Sequence, residues 1–489
     1  MSKTIGVIGS GFSGISAATH LAKAGYKVIV FEKNESFGGR ARKFTTSNGF
    51  TFDMGPSWYW MPDIMENYFA EFGSKINNHL ELIRLDPQFE MVFSDEILTV
   101  PSFYDDWFDW IETLESGSAK SLQKFMTTAK YKYEVGMIDF VKKPCHSWTE
   151  FIDFKIMKSA LKMDLLSDFR SYTKRFFTNK NIQCLMEFPV IFLGASPKKI
   201  PALYSMMNYG GYQLGTWYPL GGFSKLVDAM VCLAKNMGVL FYTNQEVLKL
   251  NFFDNQITSL ETTDHTFEID ALISSADYAF TETLLPSHLR NYSKAYWEKK
   301  TFAPSCLIYY LGINEKLENL KHHTLFFEND LDDHIEEIYT TKKWPENPLF
   351  YVCCPSKTDK TVAPEGHENL FLLMPIANNL SDEESIRKKY LHEMLRRLEK
   401  KTGAKDLLKK IVYQRSYCVS DFKNDYNAYG GNAYGLANTL MQTAILKPSI
   451  RNKKIKNLWY TGQLTVPGPG VPPAIISGGI VANDLKKVI

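Results

Sequence analysis

The chain has no cysteine framework to fold around. Its seven cysteines among 489 residues are odd in number, scattered and without CxxC spacing. This argues against a disulfide-built module and a zinc site, and fits a reducing compartment. Neither charge is in real excess: 56 Lys and Arg against 54 Asp and Glu leave a formal net charge of +2, which makes no electrostatic case for a nucleic-acid partner. No charged, apolar and small-residue leader precedes the first strand, so a cytoplasmic location is expected. Residues 200–224 and 457–483 carry no charge, but Pro and Gly break both stretches. Neither offers the ~20 continuous apolar helical residues of a membrane span. Internal repeats, low-complexity segments and a convincing Ser-His-Asp set are missing. The ten histidines, adjacent His322 and His323 included, show no clustering with carboxylates and are read as surface or loop residues, so no metal is expected.

Glycine, by contrast, occurs in a telling order. Residues 5–8 read as a short buried strand, Gly9-Ser10-Gly11-Phe12-Ser13-Gly14 as a turn, 15–24 as a helix, and 27–31 as a second strand ending on Glu32 and Lys33. Gly9 permits the tight turn, Gly11 lets backbone amides approach a diphosphate, and Gly14 lets helix and sheet pack closely. The helix N-terminus offers unpaired N–H groups to phosphates, and Glu32 is placed to accept from a ribose diol. A second turn, Phe37-Gly38-Gly39-Arg40-Ala41-Arg42, and then Phe52-Asp53-Met54-Gly55-Pro56-Ser57 follow closely. Arg40 can bring a planar cation to the diphosphate, which favours an extended, tightly held dinucleotide.

GxGxxG, Glu, GGR and DxGPS in this order resemble the flavoprotein superfamily of amine oxidases and carotenoid desaturases. At the other end, Asn457-Leu458-Trp459-Tyr460-Thr461-Gly462-Gln463 resembles the last FAD-binding strand of that family. The following 464–473, with Pro467-Gly468-Pro469-Gly470-Val471-Pro472-Pro473, resembles the loop of bacterial phytoene desaturases that passes the isoalloxazine ring, and 474–485 its helix. Between the ends, 218–226, 243–247, 271–277 and 427–435 with Gln442 resemble further family segments, and Val247 is implied at the adenine. The resemblance therefore implies FAD held by Gly9, Gly11, Phe12, Ser13, Gly14, Glu32, Lys33, Gly39, Arg40, Gly55, Pro56, Ser57, Val247, Gly462, Gln463, Gly470, Val471 and Pro472. Gln463 stands where many relatives carry an acidic residue or alanine.

It also implies a reaction. Desaturation removes a hydride and a proton from neighbouring carbons, with flavin N5 taking the hydride while the protein holds a long hydrocarbon and excludes water. The expected substrate is 15-cis-phytoene, converted toward lycopene; the alternatives are a carotene isomerase, a hydroxycarotenoid or C30 diapophytoene desaturase, an amine oxidase, or an FAD-binding scaffold without turnover. No catalytic residue is identified; Asp53 and Asp277 are weak candidates for the proton acceptor and equally fit turn-stabilising roles. Trp58, Tyr59 and Trp60 are candidates to line the substrate tunnel. Quinone or oxygen would reoxidise the flavin, and the protein would sit peripherally on the inner face of the membrane. An amphipathic pattern over 154–177, with Met157, Leu161, Leu165, Phe169, Tyr172 and Phe176 set apart from Lys155, Lys158, Lys162, Arg170, Lys174 and Arg175, suits either a membrane surface or a core-facing helix.

The expected fold is α/β. Residues 1–75, 215–290 and 450–489 would form a discontinuous Rossmann-like FAD-binding domain, and 76–99 with 291–449 a sheet-based substrate domain. Residues 100–214, which hold Trp107, Trp110 and Trp148, would form a helical lid or membrane-contacting subdomain. Strand candidates at 305–313, 349–354 and 368–375 and an amphipathic helix at 384–401 support the second unit.

Overall fold

Two sheets organise the molecule in a computed structural model that describes residues 2–151, 164, 167–191 and 193–489. The first is wholly parallel. Its centre is β1 (Thr4–Ile8), flanked by β2 (Lys27–Phe31) on one side and Ala271–Ser274 on the other; Leu240–Tyr242 and Leu458–Tyr460 close the edges. Ile5 faces Val28 and Ala271 across the ladder, and the near-continuous apolar run of each inner strand fits a sheet covered on both faces. Strands from three distant parts of the chain thus share one sheet.

Between β1 and β2 runs α1 (Phe12–Lys23), which starts three residues before the sequence-based boundary because Gly11 already acts as its N-cap. Helix Val471–Leu485 lies against α1. The approach is close enough that a Cβ on Gly478 would stand 2.4 Å from Ser13 O and 2.6 Å from Ser16 Cβ. This helix likewise begins earlier than expected, with proline in its first turn, where a missing N–H and a fixed φ suit helix entry.

The second sheet has seven strands in the order Ile411–Tyr417, Ser305–Ile313, Glu368–Ile376, Phe350–Cys353, His323–Phe326, Phe89–Val92, Ile97–Val100. All pairs are antiparallel except His323–Phe326 with Phe89–Val92. Ser305–Ile313 is buried along its whole length, and alternation divides its side chains. Leu307, Tyr309, Leu311 and Ile313 join Leu391, Met394, Leu395 and Leu398 of helix Glu384–Thr402, whereas Cys306, Ile308 and Tyr310 face the main core. A period of two on one element and of three to four on the other is what lets sheet and helix share this layer.

Helices Trp107–Leu114, Ser118–Val135 and Lys180–Ile191 pack their buried side chains, Trp107, Leu122, Phe125 and Leu185 among them, into the main core. Most of the amphipathic stretch 154–177 lies outside the described residues. Its described end forms the short helix Phe169–Thr173, with Phe169 and Tyr172 buried beside Phe125. Arg170 departs from a solvated basic face: it pairs with Glu187 and, at 2.9 Å, with Asp332. Among the described residues, no helix is long and apolar enough to cross a membrane. The surface or loop reading of the histidines is corrected at three positions. His322, His323 and His334 are buried, and His323 sits within a strand.

Candidate functional site

The two sheets meet around a cavity of about 450 Å³. One end is built from the first sixty residues. Glu32, at the exit of β2, is buried; its Oε2 accepts from Ser10 N at 3.0 Å and Ser10 Oγ at 2.6 Å, and its Oε1 from Asn34 N and Nδ2 at 3.0 and 2.8 Å. The N-terminus of α1 opens onto the same space with no side chain capping it. Gly9 holds φ +90°, and a Cβ on Gly14 would stand 2.1 Å from Gly9 O, so this turn admits glycine alone at that position.

Arg40 follows from the second glycine turn, where Gly38 and Gly39 take φ of 109° and 56°. Its guanidinium lies 4.8 Å from the Tyr426 ring and donates to Asn432 O at 3.2 Å. With its amide oxygen turned inward, Gln463 accepts from both terminal nitrogens at 3.2 and 3.0 Å. The Arg40 Nε is buried without a partner. Burial draws its pKa below the usual guanidinium value, against the pull of Tyr426 and Asp277. A second uncapped helix end, at Gly470, faces the cavity together with Gly462, Val471 and Pro472.

The other end of the cavity differs in chemistry. Segments 188–207 and 304–375 contribute Phe188, Ile191, Leu193, Met207, Ile308, Leu325, Phe327, Ile338, Leu349 and Leu373 and, among the described residues, no carboxylate, lysine or arginine. The imidazole there, His334, is spent: Nδ1 accepts from Leu349 N at 3.0 Å and Nε2 donates to Pro375 O at 2.9 Å. Burial lowers its pKa to about 4, so it is neutral. Trp58 stacks on His323 at 4.1 Å and meets Phe188 edge-on at 5.3 Å, and Trp60 fixes its ring by donating to Thr216 Oγ1 at 2.8 Å.

The cavity wall brings together Gly9, Gly11, Phe12, Ser13, Glu32, Lys33, Gly39, Arg40, Gly55, Pro56, Ser57, Val247, Gly462, Gln463, Gly470, Val471 and Pro472, with Gly14 directly behind it. Trp58 and Trp60 line it; Tyr59 does not, because it turns into the core against Phe223 at 5.7 Å. Asp53 also lies off the main wall. Its carboxylate accepts from Phe223 N at 2.5 Å and Ser224 N at 3.0 Å, at the start of helix Ser224–Asn236, and burial raises its pKa to about 6. Asp277 reaches the wall but is occupied by Phe280 N and Tyr429 N, both at 3.2 Å. Sequence reasoning missed Phe422, Asp425 and Tyr426 on helix Val419–Tyr426, which complete the wall beside Arg40. Aromatics at 417, 422 and 426 just ahead of the 427–435 segment were the available signal.

Comparison with known proteins gives this arrangement a relationship. Residues 12–486 match the family described as flavin containing amine oxidoreductase. The chain belongs to this family. Its relatives include a carotenoid 3,4-desaturase of Haloarcula japonica, 40% identical over 486 residues that cover 99% of this chain and 98% of the relative. A 4,4'-diapophytoene desaturase (4,4'-diaponeurosporene-forming) of Staphylococcus haemolyticus is 29% identical over 497 residues, 99% of each. Among solved structures, putrescine oxidase bound to putrescine aligns with a TM-score of 0.63 at 14% identity over 100% of this chain and 99% of the other. An oxidoreductase from Methanosarcina mazei aligns at 0.62 and 17%, over 98% and 100%; both likenesses bear on fold alone.

As a flavin-containing amine oxidoreductase of the carotenoid-desaturase type, the protein uses FAD, and the residues present fit it. The uncapped helix N-terminus at Gly11, an unpartnered buried Arg40 Nε and a turn that excludes a Cβ at Gly14 are what an extended, doubly charged diphosphate needs, and the second uncapped helix end, at Gly470, is left for the flavin ring.

Proposed function

We propose that this flavoprotein desaturates a long carotenoid at C3–C4, near one end of the polyene. The observation that carries the hydrocarbon reading is the wall formed by 188–207 and 304–375, which among the described residues lacks carboxylate, lysine and arginine; the C3–C4 position is supported by the 40% identity to a carotenoid 3,4-desaturase. A hydrocarbon offers no charged handle, so affinity comes from apolar burial at about 25 cal/mol per Å². The amine-oxidase alternative is disfavoured on the same ground, since an ammonium group would enter that wall without a counter-charge. Conversion of 15-cis-phytoene toward lycopene remains the second reading; the 29% identity to a diapophytoene desaturase supports desaturation of a phytoene-type chain and leaves the C30 alternative beside the C40 one.

When bound, FAD supplies the hydride acceptor. In this proposal Glu32 and Lys33 take the ribose end, the amides from Gly11 to Ser13 and Arg40 the diphosphate, and the Gly470 helix end the ring, while Trp58 and Trp60 hold the polyene. Asp53 and Asp277 serve as caps rather than as proton acceptors, since backbone N–H groups occupy both carboxylates. Residues 1–75, 215–290 and 450–489 are read as the FAD-binding domain. Peripheral contact with the cytoplasmic face of a membrane, where the substrate dissolves, and reoxidation by a quinone or oxygen complete the proposal.

Anaerobic mixing tests it. A carotenoid saturated at C3–C4 should bleach the flavin and gain absorption at longer wavelength. Bleaching by phytoene but not by that carotenoid would favour the second reading; bleaching by neither would remove both.

A further inference from the structure

Directly behind Trp58, the second sheet buries three side chains that the flavin reading leaves unused: His322, His323 and Cys353. His323 and Cys353 face each other across the antiparallel register, and His322 precedes His323. Their exposures are 5%, 0% and 2%. One ring nitrogen of each histidine and the Cys353 Sγ lie within 4.8 Å of one another.

The hydrogen bonding of the rings explains why this grouping is unusual. His322 Nδ1 is 2.7 Å from Thr358 Oγ1, and His323 Nδ1 is 2.6 Å from the Tyr351 hydroxyl. The remaining nitrogen of each ring, Nε2, is buried without a partner. A neutral imidazole carries one N–H and one lone pair. Hydroxyls that accept at Nδ1 place both lone pairs on Nε2, the arrangement that outer hydrogen bonds impose on metal-binding histidines. Burial keeps both imidazoles neutral, and the Tyr351 hydroxyl also reaches the Cys353 thiol. Beside His322 and Cys353 is a separate cavity of about 20 Å³, also lined by Asp53, Ser57 and Tyr218, with room for one water. Asp53 acts electrostatically on Cys353, and Asp359 on His322; both would offset an added positive charge.

We propose that His322 Nε2, His323 Nε2 and Cys353 Sγ form a binding site for a zinc-class divalent cation, with water from the small cavity as fourth ligand. Two imidazoles and a thiolate suit such a borderline-soft ion. Bond lengths of about 2.0 Å to nitrogen and 2.3 Å to sulfur keep tetrahedral ligand atoms roughly 3.5 Å apart, so capture draws the three side chains toward one another. Binding releases the Cys353 thiol proton to solvent, and no oxidation is involved. The ion would also hold the His323 Nδ1–H tautomer against Tyr351, whose hydroxyl lies 2.9 Å from Ser57 Oγ in the flavin cavity, and so would stiffen that wall.

Metal analysis of the FAD-loaded protein, produced with supplied zinc and passed over a weak chelator, is the direct test. About one zinc per chain is expected, and replacement by cobalt should add ligand-field absorption in the red, beyond the oxidised flavin. Cys353→Ser and His322→Gln should each lose the metal at least tenfold while the flavin-to-protein ratio reports that they have folded. Wild-type protein with well under one ion per chain and no red absorption overturns the proposal, even if neither variant folds. So does a full complement that both substitutions leave in place, which would put the ion elsewhere.

Discussion

Gly14 and Lys447 show how single atoms decide what this chain can do. Gly14→Ala would place a methyl group 2.1 Å from Gly9 O, and neither backbone can retreat without opening the turn. Purified variant protein should therefore carry FAD at a small fraction of the wild-type ratio, read as flavin absorbance per chain. Lys447 is buried, and its Nζ has no hydrogen-bond partner; burial first, and then Lys300, lower its pKa from 10.5 to about 7. Between those values the unfolded chain binds the extra proton, so the destabilisation is full below pH 7 and fades as pH rises toward 10.5. By that shift, Lys447→Met should stabilise the protein by up to about 5 kcal/mol at pH 6 and by little near pH 10, measurable in denaturant titrations at both. The Gly14 constraint is legible in the GxGxxG spacing. That of Lys447 is not, because nothing near residue 447 in the chain announces that the fold will bury it.

At the scale of elements, period and punctuation predict existence better than boundaries or partners. Ser305–Ile313 forms over the span that its apolar run predicts, and Glu384–Thr402 extends its expected helix by one residue. The helices Phe12–Lys23 and Val471–Leu485 both start three residues early, since glycine caps and first-turn prolines belong to the helix end rather than to the loop. Asp53 illustrates a partner that no local pattern discloses. Its contacts, Phe223 and Ser224, lie 170 and 171 positions away. Asp53→Ala leaves two buried N–H groups at the start of Ser224–Asn236 unpaired, so stability should fall by about 1–3 kcal/mol in urea unfolding. Turnover per bound flavin should persist; its loss would return Asp53 to the chemistry.

For the whole molecule, the cavity joins a charged, amide-rich wall to one that, among the described residues, carries no charge. The first comes mainly from the chain ends, the second from 188–207 and 304–375. Ile338 is buried and lines the apolar end. Ile338→Trp should fill that space and lower turnover of a long carotenoid at least about tenfold, the equivalent of 1.4 kcal/mol. FAD content should stay unchanged, because the dinucleotide end is built elsewhere. Loss of flavin in that variant would show that the two ends are not separable.

The sequence alone determined what depends on neighbours in the chain: the glycine turns, the Glu32 that follows β2, the apolar strand segments and the charge-free C-terminal loop. These are local because backbone conformation and side-chain period are set within a few residues. Only the tertiary structure decided which residues meet across hundreds of positions. It turned Tyr59 into the core while Trp58 and Trp60 face the cavity, set Tyr426 against Arg40, gave Asp53 a cap to make, and buried His322 and His323 beside Cys353. Those outcomes follow from how two sheets close on one another, a geometry that no short stretch of sequence encodes.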